Sequence, residues 1–176
     1  MFEFTESIRI AAPPAKVWDY VADVERWWLA SNPDHIRMDV GGDGAALGPG
    51  TEVTFEERVA GLRGRAEGTV TRWVPGNLIE WEGRARYHYL GLPLQVREGV
   101  SWQVEGSDGG SRLSARVWAE FPSGLLGRFF EWYAKSMLDV VDRDREHARR
   151  ELEYLKFEIE AVHQLTGKGL DKDRPD

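Results

Sequence analysis

At Pro122 the hydrophobic period of this chain passes from that of strands to that of a helix, and that change constrains the fold more than any other feature. Between residues 36 and 121 apolar residues recur mostly at every second position, the period of half-buried strands. Strands are predicted near 36–40, 51–60, 63–74, 78–88, 94–105 and 111–121. The breaks between them carry turn residues: the GGDGAALGPG run at 41–50, Gly61, Pro75-Gly76-Asn77, Gly91 to Pro93, and Gly106 to Gly110. Gaps this short are natural for antiparallel hairpins. Beyond Pro122 the residues Phe130, Ala134, Met137, Val141, Asp144, Ala148, Leu152, Leu155, Ile159 and Val162 step by three or four. That stripe predicts one helix from 124 to 164, ~60 Å long at ~1.5 Å per residue.

The start of the chain adds one more strand and two short helices. Phe2, Phe4, Ile8 and Ile10 share one side of an alternating segment whose apolar face Glu6 interrupts. Pro13 and Pro14 end it, and Val17, Trp18, Val21 and Val24 follow at helical spacing after a proline suited to a first turn. A second short helix is predicted through Trp27 and Trp28, ending before Asn32 and Pro33. The segment GKGLDKDRPD at 167–176 has the glycine, proline and charge content of a flexible tail, leaving a single domain at 1–166.

The chain of 176 residues, 41% apolar and 30% charged, has the length and composition of one folded domain. A net charge of −7 argues against binding nucleic acid through phosphate neutralisation. The absence of cysteine excludes disulfides, thiolate metal sites and cysteine nucleophiles. The first ten residues lack a basic segment followed by an apolar one, and no run of 18 apolar residues occurs, so a cytoplasmic protein without integral membrane association is expected.

One strand, two helices, six strands and one long helix make an α+β order, with helices on one side of an antiparallel sheet. That order resembles the SRPBCC superfamily, as do IRIAAPPAKVWDYVADVERWW at 8–28, GPGT at 48–51, GTVTRWVPGNLIEWEG at 68–83, GGSRLSARVWAEFP at 109–122 and GLLGRFFEWYAKSMLDVVDRDREHARRELEYLK at 124–156. These are the helix-grip proteins, which include START lipid-transfer domains, birch-pollen-allergen-like proteins and polyketide cyclase/dehydrases. The resemblance implies a curved seven-stranded antiparallel sheet wrapped around the long helix, with a pocket between them. It does not fix the chemistry, because the superfamily holds lipid carriers, hormone receptors, aromatase/cyclases and co-chaperones. The polar set that aromatase/cyclases are expected to use cannot be matched here residue by residue.

Several chemistries leave no trace in the residues. His35, His88, His147 and His163 show no close metal-binding spacing such as HExxH, so a zinc site would need carboxylates gathered by the fold, and neither metal nor organic cofactor is expected. GGDGAALGPG has no phosphate-binding glycine pattern, and GGSRL at 109–113 fails as a nucleophile elbow and reads as a hairpin turn.

Alternation places Val53, Phe55, Glu57 and Val59 on one inward row; Ile79, Trp81, Gly83, Ala85 and Tyr87 on a second; Val96, Glu98, Val100, Trp102 and Val104 on a third; and Leu113, Ala115, Val117, Ala119 and Phe121 on a fourth. Bulky aromatics beside Gly and Ala suit an uneven apolar cavity as well as a packed core. Glu57 and Glu98 interrupt these rows and Asp144 interrupts the helix stripe. A carboxylate turned into an apolar cavity has a raised pKa unless it is paired, and can then act as an acid or orient a ligand hydroxyl. A bulge turning these residues outward, or neutralisation by Arg72, Arg84 or Arg97, is the bland alternative. Tyr133 and Ser136 flank the helix stripe, and Tyr87, His88 and Tyr89 sit at a strand end suited to a cavity rim. The expected ligand-binding set is Phe55, Glu57, Trp81, Tyr87, Glu98, Val100, Trp102, Val117, Phe129, Tyr133, Met137 and Val140, with Glu57, Glu98, Asp144 and Tyr133 as catalytic candidates.

Three functions compete. The first is binding of one apolar or amphipathic small molecule, such as a lipid, isoprenoid, aromatic or polyketide. The second is a cyclase or dehydratase using the pocket carboxylates and tyrosine. The third is a partner-binding module of co-chaperone type with outward Trp73 and Trp118 as exposed anchors. The steps of 4, 3, 4 and 3 through Ala148, Leu152, Leu155, Ile159 and Val162 suit packing on the domain itself, with a homodimer seam as the alternative.

Overall fold

The computed structural model describes residues 1–41, 47–59, 61–89, 92–125, 127–129, 131–132 and 139–170. Strand β1 (Phe2–Ile10) leads into helices α1 (Pro14–Val21) and α2 (Val24–Ser31). Six strands follow: β2 (His35–Val40), β3 (Glu52–Val59), β4 (Leu62–Val74), β5 (Leu78–Tyr89), β6 (Leu92–Ser107) and β7 (Gly110–Glu120). Helix α3 (Val140–Leu170) closes the domain. The seven strands form one sheet in the order β1-β7-β6-β5-β4-β3-β2, with every neighbouring pair antiparallel. Six consecutive strands pair as hairpins, and β1 returns to the free side of β7, as the short turns require.

Two strands approach each other closely where glycine permits it. Gly68 on β4 faces Gly83 on β5, and a Cβ on Gly68 would lie 2.1 Å from the Glu82 carbonyl oxygen. Only a residue without a side chain allows the two backbones to approach this closely. A bulge between Val70 and Arg72 then reverses the alternation, so that Trp73 pairs with the buried Ile79 and shares its face. Trp73 packs edge-on against Trp18 of α1, with ring centres 5.5 Å apart. It is therefore not the outward anchor expected from strict alternation. Trp118 does lie on the outer face, but half-buried, covering Gly99 beneath the Arg97 guanidinium.

The core lies between the sheet and helices α1, α2 and α3. Trp27 is fully buried, donates its indole N–H to the Val21 carbonyl and packs edge-on against Trp102. Ala148, Leu152, Leu155 and Ile159 from α3 are buried in the domain's own core, whereas Val162 is 46% exposed. Polar tethers hold α3 against β1 and the segment after it. Arg149 pairs with Glu6 at 3.0 Å, Lys156 donates to the Arg9 carbonyl, and Glu160 accepts from the Ala11 amide. The interruption of the β1 apolar face by Glu6 is thus an attachment point for the helix.

The helix expected over 124–164 is not continuous. Asp139 has φ of 48°, in the left-handed region, and α3 begins only at Val140, where the Arg143 amide reaches back to the Asp139 carbonyl. The described residues from 125 to 132 are helical as a separate stretch. Apolar period reports which side of a segment faces the core and is blind to one backbone reversal, which no Gly or Pro marks here. At its other end α3 continues to Leu170, four residues beyond the domain limit drawn at 166, with 31 residues and a length of ~46 Å at ~1.5 Å per residue. The remainder of the predicted tail, 171–176, lies outside the described residues.

Candidate functional site

Between the concave face of the sheet and α3 lies a cavity of about 140 Å³. Its apolar wall follows the predicted rows. Phe55 and Val59 come from β3, Trp81 from β5, Val96, Val100 and Trp102 from β6, and Val117 and Ala119 from β7. Trp28 of α2 closes one side, tilted against Phe55, which in turn meets Trp81 edge-on at 5.0 Å. Trp81 is held in place by donating its indole N–H to the Val53 carbonyl.

All three carboxylates singled out in the sequence line this one cavity: Glu57 from β3, Glu98 from β6 and Asp144 from the first turns of α3. The outward alternative does not hold, and Arg97 instead pairs with Glu120 on the opposite face. Tyr87, opposite Leu94 on the neighbouring strand, donates its hydroxyl to Glu98 Oε2 at 3.1 Å. Val140 also lines the cavity. Phe129 does not: it is 53% exposed and contacts Trp132, because the break at Asp139 removes the helical phase on which its inward placement rested. Tyr133 and Met137, together with Ser136, fall outside the described residues, as does the side chain of Tyr89.

The burial of these acids has electrostatic consequences. Desolvation raises Glu98 from 4.5 to about 8, the charges of Glu57 and Asp144 add to it, and the Tyr87 hydrogen bond partly opposes it. Asp144 rises to about 7 through burial and then the Glu57 charge, against an opposing pull from His147. Burial also raises Glu57, although both neighbouring histidines favour its ionised form. Tyr87 is pushed well above its ordinary 10 by burial and by Glu98.

Beside Glu57 the fold assembles a group not anticipated from the sequence. His35, at the start of β2, and His147 and Glu151, one turn apart on α3, converge with it. His35 Nε2 is 2.8 Å from His147 Nε2 and 3.0 Å from Glu151 Oε1, and His147 Nε2 is 3.2 Å from the same oxygen. Glu57 Oε2 stands 3.7 Å from His35 and 3.5 Å from His147. The His35 ring stacks on Trp28 and its Nδ1 donates to the Trp28 carbonyl at 2.5 Å. Burial would lower His147, but the hydrogen bond and charge of Glu151, with Glu57 and Asp144, raise it to about 9. Burial would raise Glu151, but hydrogen bonds from both histidines hold it at about 2. One signal was available in the sequence: Asp144, His147 and Glu151 form a polar stripe at steps of three and four beside the apolar one. Nothing in the sequence announces that His35 meets it from 112 positions away.

Solved structures share this architecture. The Zhui aromatase/cyclase from Streptomyces sp. R1128 superposes with a TM-score of 0.62 over 90% of this chain and 93% of its own, at 17% identity. An uncharacterized protein from Rhizobium leguminosarum gives 0.62 over 91% and 95% at 16% identity, and a protein from Thermus thermophilus gives 0.60 over 92% and 99% at 17% identity. At such identities the likeness establishes the fold alone. No curated protein sequence matches the chain. The sequence model described as polyketide cyclase / dehydrase and lipid transport matches residues 1–153, most of the chain. With the seven-stranded sheet, the long closing helix and the cavity between them, this shows that the chain belongs to the polyketide cyclase/dehydrase and lipid-transport family of the SRPBCC helix-grip superfamily.

Proposed function

We propose that the cavity binds one apolar or amphipathic small molecule that carries a carbonyl or hydroxyl group, of lipid, isoprenoid, aromatic or polyketide class. The observation that carries this reading is an aromatic-walled cavity of about 140 Å³ into which Tyr87, Glu98 and Asp144 all project. A dry cavity near ~150 Å³ accepts a single benzene-sized body, so one ring or a comparable stretch of chain fits against Phe55, Trp81, Trp102 and Val117. At neutral pH Glu98 carries its proton, and a neutral acid donates a hydrogen bond to a ligand oxygen where a carboxylate would repel it. Burying the apolar ring and satisfying one oxygen together account for selectivity.

A second reading, a cyclase- or dehydratase-type enzyme, is favoured by one particular observation. Two acids with values of about 7 and about 8 share the same apolar cavity, the range in which one group takes a proton and another returns it. Asp144 would remove a proton next to a carbonyl while Glu98, oriented by Tyr87, would donate to the oxygen on which charge develops.

Native mass spectrometry of freshly purified protein, followed by organic extraction, tests the binding reading directly. A single apolar companion is expected in the wild type and is lost in Val117→Trp, which fills the cavity. If screening of monocyclic aromatics, fatty acids and β-dicarbonyl compounds gives no thermal shift that Val117→Trp abolishes, the cavity is not a binding site. Turnover of a β-dicarbonyl compound that survives both Asp144→Asn and Glu98→Gln would remove the enzymatic reading.

A further inference from the structure

The histidine and glutamate group beside the cavity is arranged for a cation, and we infer that His35, His147, Glu151 and Glu57 bind one divalent transition-metal ion of the zinc or ferrous class. His35 Nδ1 has the Trp28 carbonyl as its partner, so in the neutral ring Nε2 presents a lone pair. That lone pair faces His147 Nε2 at 2.8 Å and Glu151 Oε1 at 3.0 Å, and Glu57 Oε2 stands 3.7 Å away. A proton on His147 Nε2 serves the His35 lone pair, and the contact of His35 Nε2 with the Glu151 carboxylate is then left between two acceptors. With both rings protonated on Nε2, two donors point at each other across 2.8 Å. Each of these arrangements leaves one close contact between two acceptors or two donors, whereas one cation at the centre attracts all four atoms.

The distances agree with that reading. Donors held about 2.1 Å from a tetrahedral zinc ion stand about 3.4 Å apart. The five separations here run from 2.8 to 3.7 Å and bracket that value. Two imidazoles with carboxylate oxygens suit zinc or ferrous iron and disfavour magnesium and calcium, which prefer all-oxygen shells. The surrounding contacts also fit. The donation from His35 to a backbone carbonyl, and its stacking on Trp28, fix the ring with Nε2 directed at the site, the outer-shell support that metal-binding histidines receive. The His35 side chain is fully buried, while Glu57, His147 and Glu151 border the cavity, so the site is closed behind and open toward a bound molecule. An ion there would take a ligand oxygen from the cavity as a fifth donor, whether the ligand is carried or transformed.

The inference concerns metal binding alone and is tested without a substrate, so its failure is separate from failure of the binding or enzymatic reading. Chelator-stripped protein is titrated with Co²⁺ and Zn²⁺ by calorimetry and by visible absorption, with the summed tryptophan fluorescence, to which Trp28 beside His35 contributes, as a third signal. One equivalent is expected to bind, with a visible Co²⁺ spectrum that Zn²⁺ displaces, fluorescence quenching by Co²⁺, and no response to Mg²⁺. His147→Ala and Glu57→Gln, each checked for native circular dichroism, should weaken Co²⁺ binding by more than ~100-fold, since loss of outer-shell partners alone costs about 10- to 100-fold. Glu57→Gln is the safeguard against misfolding, because its side chain borders the cavity. Absence of a 1:1 complex, or a 1:1 complex that neither folded variant weakens, overturns the inference.

Discussion

Replacing Glu98 by Gln should remove a pH dependence of stability whose size follows from the cavity. In the folded protein Glu98 holds its proton up to about 8, whereas in the unfolded chain it ionises near 4.5. Below 4.5 both states are protonated and the group contributes nothing to the pH dependence. Between 4.5 and about 8 the folded state binds more protons than the unfolded one, so stability falls as pH rises. Above about 8 both are ionised and the slope disappears. At ~1.4 kcal/mol per pH unit the full window gives an upper limit of about 5 kcal/mol. Water in the half-open cavity screens the charge, and an effect of about 2–4 kcal/mol is expected. Gln keeps the shape of the neutral acid and an oxygen for the Tyr87 hydroxyl, but it cannot ionise. Urea denaturation of both proteins in chelator, at about pH 5 and about pH 8.5, isolates the term, because all other titrating groups cancel to first order in the difference. The variant should be close to wild type at the lower pH and more stable at the higher. A stability difference that stays constant within about 0.5 kcal/mol across the two conditions refutes the placement of Glu98 in an apolar wall facing Glu57 and Asp144.

Tyr87→Phe removes the hydrogen bond that favours ionised Glu98, so the carboxyl titration of Glu98, followed by carbon-detected NMR, should move to higher pH; a downward or absent movement means that the bond does not form. Leu155→Ala, at a fully buried position on α3, should cost about 2–5 kcal/mol in urea denaturation, and a cost below about 1 kcal/mol would mean that α3 does not pack there. Gly68→Ala should prevent stable folding or cost more than about 2 kcal/mol, because its methyl group would lie 2.1 Å from the Glu82 carbonyl, whereas Gly106→Ala, whose nearest neighbour is Pro14 Cγ at 3.6 Å, should be tolerated within about 1 kcal/mol; equal melting points for the two variants would contradict the close approach of β4 and β5.

The rows that line the cavity were legible because strand alternation is a local property. Phe55, Trp81, Trp102 and Val117 face inward by the same period-two argument that places Glu57 and Glu98 beside them. Alternation failed where the backbone departs from regularity. The bulge after Val70 turned Trp73 inward, and the left-handed Asp139 broke the helix and released Phe129 from the cavity. Neither departure is marked by Gly or Pro: the bulge lies in VTRWV and the left-handed residue in LDV, where an Asp alone hints at it.

The histidine group was illegible for a different reason. Its members are separated in sequence by up to 116 positions, from His35 to Glu151, and each taken singly has an ordinary explanation. Their convergence depends on how β2, β3 and α3 meet, a non-local fact. Yet the group explains a feature that was visible, the placement of Glu57 in an otherwise apolar row. Without a partner, Glu57 would be an uncompensated charge in a low-dielectric wall and a cost to folding. Next to His35 and His147 it has two partners, and its carboxylate joins the cation-attracting group to the acid pair of the cavity. A polar residue that breaks an apolar pattern in two strands and one helix at once therefore points to a shared destination for all three, and Glu57, Glu98 and Asp144 meet at one.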